Sequence, residues 1–425
     1  MSTHTIWISL AASVVTLVVI IVALNLSAGE KQIERRLERL YSIGDPQFRR
    51  SLSVLLGPPI LDGNRIETLL NGDQIYPAML EAIRGAKRTT TFETYIYWSG
   101  SIGKEFVEAL SERARSGVKV HVMLDFIGSM RMDSASLNAM KDAGVEVQRY
   151  HKPVPWHLAR LNNRTHRKTL VVDGAVGFTG GVGIADNWRG NAQDPEHWRD
   201  THFRITGPVV AQVQSVFIDN WIKSTGRVLH GEAYFPALEP VAGMGAQMFS
   251  SSPTGGSESM QLMYLLAIGS AERTIMLANA YFVPDSLAVQ ALADAAKRGV
   301  QVRVIVPGTR IDTELVRQAS RGLWGPLLEA GVKIAEYQPT MFHVKSLVVD
   351  SYMVSVGSTN FDNRSFSIND EANLNVLDET FAAEQERVFE ADWAKARPIT
   401  LAQWRARPWR ERAMEKLAGL VRAQL

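Results

Sequence analysis

The sequence predicts an α/β protein made of two similar halves with mostly parallel sheets, packed about a pseudo-twofold axis and preceded by one N-terminal transmembrane helix. Three observations carry this prediction. At 425 residues the chain is longer than one hydrophobic core ordinarily supports, so two units are expected. Residues 6–26, IWISLAASVVTLVVIIVALNL, hold no charge over a length that crosses roughly 30 Å of hydrocarbon as a helix. A series of features then occurs twice in the same order. "AIRGAKRTTTFETYIYW", "GKEFVEALSERARSGVKVHVMLD", "MKDAGVEVQRY" and a stretch around His166 are followed later by "AIGSAERTIMLANAYFV", "LAVQALADAAKRGVQVRVIVP", "LLEAGVKIAEY" and a stretch around His343.

The N-terminal run is read as an anchor, residues 1–29. Trp7 sits near one interface, and Lys31, Arg35, Arg36 and Arg39 follow the run, whereas only the chain's amino group precedes it. The positive-inside rule therefore places the remainder in the cytoplasm. A cleaved signal peptide fits less well, because the run lacks a basic leader, exceeds the usual apolar length and offers a poor small-residue cleavage pattern. Residues 30–59 read as a juxtamembrane amphipathic segment. Within it Ile33, Leu37, Leu40 and Tyr41 form one helical stripe, up to the Gly-Pro-Pro break at 57–59.

The first half is assigned to 60–228 and the second to 258–395. Each reads helix, strand, helix, strand, helix, strand, hairpin. Phe106, Ala109 and Leu110 recur at helical spacing before Gly117, and "VKVHVML" alternates like a strand; Val300 to Val306 does the same after Gly299. Such alternation predicts parallel sheets. Residues 229–257, rich in Gly, Pro and Ser, are the expected linker. Residues 396–425 are the expected C-terminal amphipathic helix, with Met414, Leu417, Val421 and Leu425 on one face, read as interfacial with packing on the second half as the rival. The loop 150–164, with Trp156, His157, Lys152, Arg160 and Arg164, is a candidate for contact with anionic headgroups, or else a solvated loop.

Composition narrows the chemistry. A net charge of +2 is too small to demand a nucleic acid, and none is expected as partner. The absence of cysteine removes disulfides, thiolate metal sites and a Cys nucleophile. Histidine with lysine is a poor metal shell, and no metal or other cofactor is expected.

The repeated stretches are "THRKTLVVDGAVGFTGG" at 165–181 and "FHVKSLVVDSYMVSVGSTN" at 342–360. In an extended chain residues i and i+2 share a face, so His166 projects with Lys168 and His343 with Lys345. Closing a pseudo-twofold interface would bring two imidazoles and two ammoniums into one cleft. The ammoniums can neutralise phosphate oxygens, one imidazole can attack phosphorus and the other can protonate the departing oxygen. Asp173 and Asp350 complete the two triplets at hairpin turns, where they are expected to hold hairpin and lysine rather than touch substrate. Gly180, Gly181, Gly357, Ser358 and Asn360 are candidate phosphate-binding positions, since small residues admit an anion close to the backbone.

These residues resemble the phospholipase D superfamily signature H-x-K-x4-D with a small-residue turn after six more residues. The second copy also carries the G-S-x-N tail, in Gly357, Ser358, Thr359 and Asn360. The first departs from it at Gly181 and Gly183. Beyond residue 60 the chain is most similar to bacterial cardiolipin synthases, through "NGDQIYPAMLEAI", "NRTHRKTLVVDG", "FTGGVGIAD", "WRDTHFRITGPVV", "AYFVPD" and "GSTNFDNRSF". That resemblance implies an inner-membrane phosphatidyltransferase that converts two phosphatidylglycerol molecules into cardiolipin and glycerol through a phosphohistidine. It implies catalytic residues His166, Lys168, Asp173, His343, Lys345 and Asp350. His166 is the nucleophile and His343 the acid and then base, with the reverse assignment open. Asp200 and Glu371 fall where the family places carboxylates that orient each histidine. The alternatives are a hydrolase releasing phosphatidic acid, a superfamily nuclease, or a membrane scaffold with an inactive fold. Both halves of the site lie in one chain, so no oligomer is required.

Overall fold

The computed structural model describes residues 3–26, 33, 35–39, 41–152, 162–253 and 258–424. The first half supplies strands β1 (Leu61–Leu70), β2 (Thr89–Thr94), β3 (Lys119–Asp125), β4 (Glu146–Tyr150), β5 (Thr169–Val172), β6 (Val176–Gly180) and β7 (Thr201–Thr206). The second supplies β8 (Met244–Ser251), β9 (Thr274–Asn279), β10 (Phe282–Val283), β11 (Gln301–Pro307), β12 (Lys333–Tyr337), β13 (Lys345–Val349), β14 (Met353–Gly357), β15 (Phe361–Asp362), β16 (Glu371–Leu377) and β17 (Ala396–Ile399). One sheet runs β17-β12-β11-β9-β13-β14-β16-β8-β1-β7-β6-β5-β2-β3-β4, and β10 pairs separately with β15. Read outward from the antiparallel β1–β8 contact, the two halves have the same strand order. Only β17, added antiparallel to β12, breaks the match.

The expectation of mostly parallel sheets is corrected by this order. The three outer strands of each half, β2-β3-β4 and β9-β11-β12, run parallel. The hairpin strands and everything toward the centre are antiparallel, so the sheet is mixed. The helical crossovers that force parallel pairing occur only in the outer parts, while tight turns after Asp173 and Asp350 force antiparallel pairing. At each turn both central residues have positive φ, 53° and 64° at Asp173 and Gly174 and 52° and 56° at Asp350 and Ser351, as a type I′ hairpin requires.

Helices cover both faces of the sheet. In β5, Leu170 and Val172 enter the core of the first half, whereas Val171 enters a central core shared by both halves. In β13, Leu347 and Val349 enter the core of the second half and Val348 enters the same central core. The period-two alternation of "TLVV" and "SLVV" thus serves two hydrophobic layers at once. The segment assigned as a linker at 229–257 contains β8, the counterpart of β1, so the second repeat starts before residue 258.

At the N-terminus a helix spans Thr3–Leu26, and its described side chains, Trp7, Val15 and Val19 among them, are exposed. Among the described residues no helix is long and apolar enough to cross a membrane. The amphipathic helix expected over 30–41 is not what its described residues form: 33 and 35–39 are non-helical. Their polar groups are drawn to the second half, where Ile33 N–H donates to Gln261 Oε1 and Arg36 and Arg39 pair with Asp294 and Glu272. The helix in that region is Pro46–Leu55, capped by Asp45.

The C-terminal segment begins with β17 and a short helix Leu401–Arg405, then forms the helix Trp409–Gly419. The last helix packs on the helix Glu314–Gly322. Ala418 is buried against Val283, Val316 and Ala319, and Arg321 lies 3.0 Å from Glu411. Met414, Leu417 and Val421 remain exposed, so packing and an exposed apolar face coexist.

Candidate active site

Two short cross-half contacts build the site. Thr165 bridges Asp370, and the His166 N–H donates to the Asp370 carbonyl at 2.8 Å. Reciprocally, Arg199 bridges Phe342, and the His343 N–H donates to the Arg199 carbonyl at 2.8 Å. Each histidine-bearing segment is therefore fixed by backbone of the opposite half.

The side chains repeat the exchange. His166 Nδ1 lies 2.9 and 3.1 Å from the Glu371 oxygens, and His343 Nδ1 lies 2.7 Å from Asp200 Oδ2. The carboxylate from β16 thus orients the first histidine, and the residue just before β7 orients the second. With Nδ1–H donated to a carboxylate, Nε2 of His166 is left for chemistry, while Nε2 of His343 lies 3.2 Å from Lys345 Nζ. His166, Lys168, His343 and Asn360 line one cavity of about 310 Å³. Lys345 Nζ lies 3.1 and 3.2 Å from the ring nitrogens of His343 and donates to its carbonyl, as Lys168 Nζ does to that of His166.

Burial governs the charges. It lowers His166 to about 4, opposed by Glu371, and lowers His343 to about 3, a direction in which Lys345 adds. Burial also pulls Lys168 down to about 7 and Lys345 to about 8. Burial alone would raise Glu371 and Asp200, but the neighbouring histidines and lysines hold both below the usual carboxylate range. The cavity therefore presents two neutral imidazoles, each hydrogen-bonded to a carboxylate. Neutral is the form a nucleophilic imidazole needs.

Several sequence-predicted residues lie elsewhere than expected. Asp173 accepts from the backbone N–H groups of Lys87, Arg88 and Thr89, and Asp350 from those of Glu272, Arg273 and Thr274. They tie each hairpin to the start of the neighbouring strand; neither lines the cavity or bonds the ammonium of Lys168 or Lys345. Ser358 is fully buried and its hydroxyl donates to Glu371, as does that of Ser365. The glycines answer to close packing rather than to a ligand. A Cβ at Gly181 would lie 2.2 Å from Asp200 Oδ1, and one at Gly357 would lie 2.3 Å from the Ala372 carbonyl. These positions let the strand carrying each orienting carboxylate approach. Gly180 likewise abuts His202. Of the five candidate phosphate contacts, only Asn360 reaches the cavity.

The departure at Gly181 has a compensation. Asp200 takes its fixing hydrogen bond from Trp188 Nε1 at 2.9 Å, where Glu371 takes serine hydroxyls. Trp188 and Trp198 also stand against the His343 ring, and Tyr95 stands edge-on to His166 at 5.1 Å between centroids. Sequence reasoning assigned no role to these three aromatics. Trp198 lies two residues before Asp200, and that adjacency was the available signal. Of the loop 150–164, residues 153–161, including Trp156, His157 and Arg160, lie outside the described residues. Arg164 lines the cavity. Among the described residues, no group of three or more His, Cys, Asp or Glu could hold a metal ion.

Comparison with known proteins agrees with this geometry. The family described as "Cardiolipin synthase, PLD-like domain" matches residues 79–221 and 264–393. The chain is 34% identical over 351 residues to "Cardiolipin synthase A" of Pseudomonas fluorescens, covering 82% of this chain and 73% of that one. It is 32% identical over 404 residues to "Cardiolipin synthase 1" of Bacillus cereus, covering 91% and 78%. Among solved structures, phosphatidylserine synthase of Haemophilus influenzae superposes with a TM-score of 0.67 at 14% identity. The match covers 89% of this chain and all of that one, a likeness of fold.

Proposed function

The chain belongs to the cardiolipin synthase family of phospholipase D-like proteins, and from that membership we propose that it moves a phosphatidyl group between two phosphatidylglycerol molecules, giving cardiolipin and glycerol. The observation that carries the reading is the pair of neutral, carboxylate-held imidazoles in one cavity that Lys168 also lines, with Lys345 directly behind His343.

In the proposed cycle, Nε2 of His166 attacks the phosphorus of the first phosphatidylglycerol. The N–P bond forms as the P–O bond to glycerol breaks, and His343 delivers a proton to the departing oxygen. A hydroxyl of the second phosphatidylglycerol then attacks the phosphohistidine, giving its proton back to His343 as the N–P bond breaks. Lys168 and Lys345 offset the charge on the non-bridging oxygens. Burial and Lys345 favour neutral His343, and the negative charge of a phosphodiester would favour its imidazolium.

The same linkage gives a test by pH. Burial lowers Lys168 to about 7 and Lys345 to about 8, so each ammonium loses charge as pH rises through the neutral to mildly alkaline range. An anion favours the charged forms, so binding takes up protons and affinity falls as pH rises through this window. Titration calorimetry of the deacylated headgroup glycerophosphoglycerol, in two buffers of different ionisation enthalpy, is expected to show net uptake. Lys168→Met should remove part of it, and zero uptake or release would contradict the assignment.

Membership in the family supports phospholipid substrates. The uncharged run at 6–26, followed by Arg35, Arg36 and Arg39, supports a single-pass anchor in the bacterial inner membrane with the catalytic part in the cytoplasm. The strand order supports a first unit over about 60–228 and a second that begins at β8.

The decisive experiment supplies labelled phosphatidylglycerol to detergent-solubilised protein and separates the products. Cardiolipin with equimolar glycerol is the expected outcome. Phosphatidic acid as the main product would instead identify a hydrolase.

A further inference from the structure

The cavity has two unlike walls. The first half contributes Ile96 and Trp98, and the second contributes Tyr281, Asp312 and Thr313. The internal repeat makes the comparison position by position. Phe92 faces Leu170 in β5 as Leu277 faces Leu347 in β13, so Ile96 and Tyr281 occupy matching places. Asp312 lies five residues beyond the end of β11, as Met130 lies five beyond the end of β3. The second half thus has a phenol and a carboxylate where the first has isoleucine and methionine.

These groups are already joined. Tyr281 Oη donates to Asp312 Oδ2 at 2.6 Å and lies 3.4 Å from Thr313 Oγ1. The Asp312 side chain remains accessible on the concave wall, although the surrounding protein raises its carboxyl by desolvation. An accessible carboxylate opposes the phosphodiester anion that the two lysines attract. It is useful there if the ligand also presents hydroxyl donors, because a carboxylate is an acceptor only. The substrate in the preceding section has such donors, since the glycerol headgroup of phosphatidylglycerol carries two free hydroxyls.

We propose that Asp312, with Tyr281 and Thr313, forms a diol subsite that holds the glycerol headgroup of the acceptor phosphatidylglycerol. This rests on the phosphatidyl-transfer reading. One hydroxyl donates to Asp312, and the other is directed at the phosphohistidine. The attacking oxygen forms its bond to phosphorus as the N–P bond breaks, and its proton passes to the facing imidazole. Occupied in this way, the subsite favours the alcohol over water as the second nucleophile. Asp312 is here a specificity-determining residue, whereas a purely electrostatic partner of Lys345 would have no preference among acceptors.

The test uses the full-length protein with labelled phosphatidylglycerol, with and without added ethanol, and measures cardiolipin, phosphatidic acid and phosphatidylethanol for wild type, Asp312→Asn and Tyr281→Phe. Losing a hydrogen bond to a charged acceptor is expected to lower the cardiolipin to phosphatidic acid ratio roughly tenfold or more in Asp312→Asn. Tyr281→Phe should give a smaller change in the same direction. Ethanol has no second hydroxyl for the subsite, so the ratio of phosphatidylethanol to phosphatidic acid should stay near wild type, and the presence of both products shows that the variants are folded and able to form the intermediate. If all three products fall in parallel, or the ratio stays unchanged while wild type makes cardiolipin, the subsite is overturned alone. If wild type yields only phosphatidic acid, the transfer reading fails and the subsite with it.

Discussion

His166→Ala and His343→Ala are each expected to lower turnover of phosphatidylglycerol by about 10³-fold or more, because in the proposed cycle one change removes the nucleophile and the other the proton donor. They should differ in what accumulates. Rapid acid-free quenching after mixing with labelled substrate should show no protein-bound label in His166→Ala. In His343→Ala the label should appear slowly and persist, since the incoming alcohol has lost its base. The opposite pattern would exchange the two roles. The rings themselves are nearly equivalent, both buried and both held at Nδ1 by a carboxylate. What separates them is Lys345, which sits against the His343 ring nitrogens, whereas Lys168 reaches the His166 carbonyl. Neither change should unfold the protein, because the residues stacked behind them in β5 and β13 are untouched apolar core.

Much of the fold was legible because duplication writes the same physics twice. Leu170, Val171 and Val172 alternate between two cores, and Leu347, Val348 and Val349 repeat the arrangement. What was not legible was where the parallel pattern stops. Helix and strand alternation forecasts parallel pairing, but β5 and β6 are joined by a tight turn, β6 and β7 by the irregular segment 181–200, and all three fold inward as antiparallel strands. β8 reads as linker in the sequence because it lies between Pro-, Gly- and Ser-rich stretches, and its partnership with β1 and β16 is visible only in three dimensions. The 30–41 stripe had helical spacing, yet Arg36 and Arg39 are drawn to carboxylates on the second half. Spacing alone does not carry that competition.

The site divides in the same way. His166, Lys168, His343 and Lys345 announce themselves by repetition. Ser358 looked like a phosphate contact because a hydroxyl beside glycine suits an anion; in the structure the anion it meets is the protein's own Glu371. Trp188 does the matching work for Asp200 from a position with no counterpart in the signature. Tyr281 and Asp312, far apart in sequence, meet only because β9 and β11 lie side by side.

The exchange of carboxylates between halves makes the last prediction discriminating. Glu371→Gln and Asp200→Asn should each lower turnover by about 10²–10⁴-fold, because the amide no longer fixes the Nδ1–H tautomer that leaves Nε2 free. Sequence adjacency would couple Glu371 to His343 and Asp200 to His166. The observed hydrogen bonds couple them the other way, Glu371 to His166 and Asp200 to His343. Glu371→Gln should therefore resemble loss of the nucleophile, with protein-bound label suppressed, while Asp200→Asn should resemble loss of the acid and base, with label formed slowly and retained. Ser358→Ala offers a graded control: Ser365 still donates to Glu371, so the effect should be roughly tenfold or less. If both carboxylate variants suppress the label equally, the two oriented imidazoles act as one unit. If Glu371→Gln retains label and Asp200→Asn loses it, either the carboxylates serve the histidines of their own halves or the two histidines have exchanged roles. The two histidine variants, read in the same assay, decide between those outcomes.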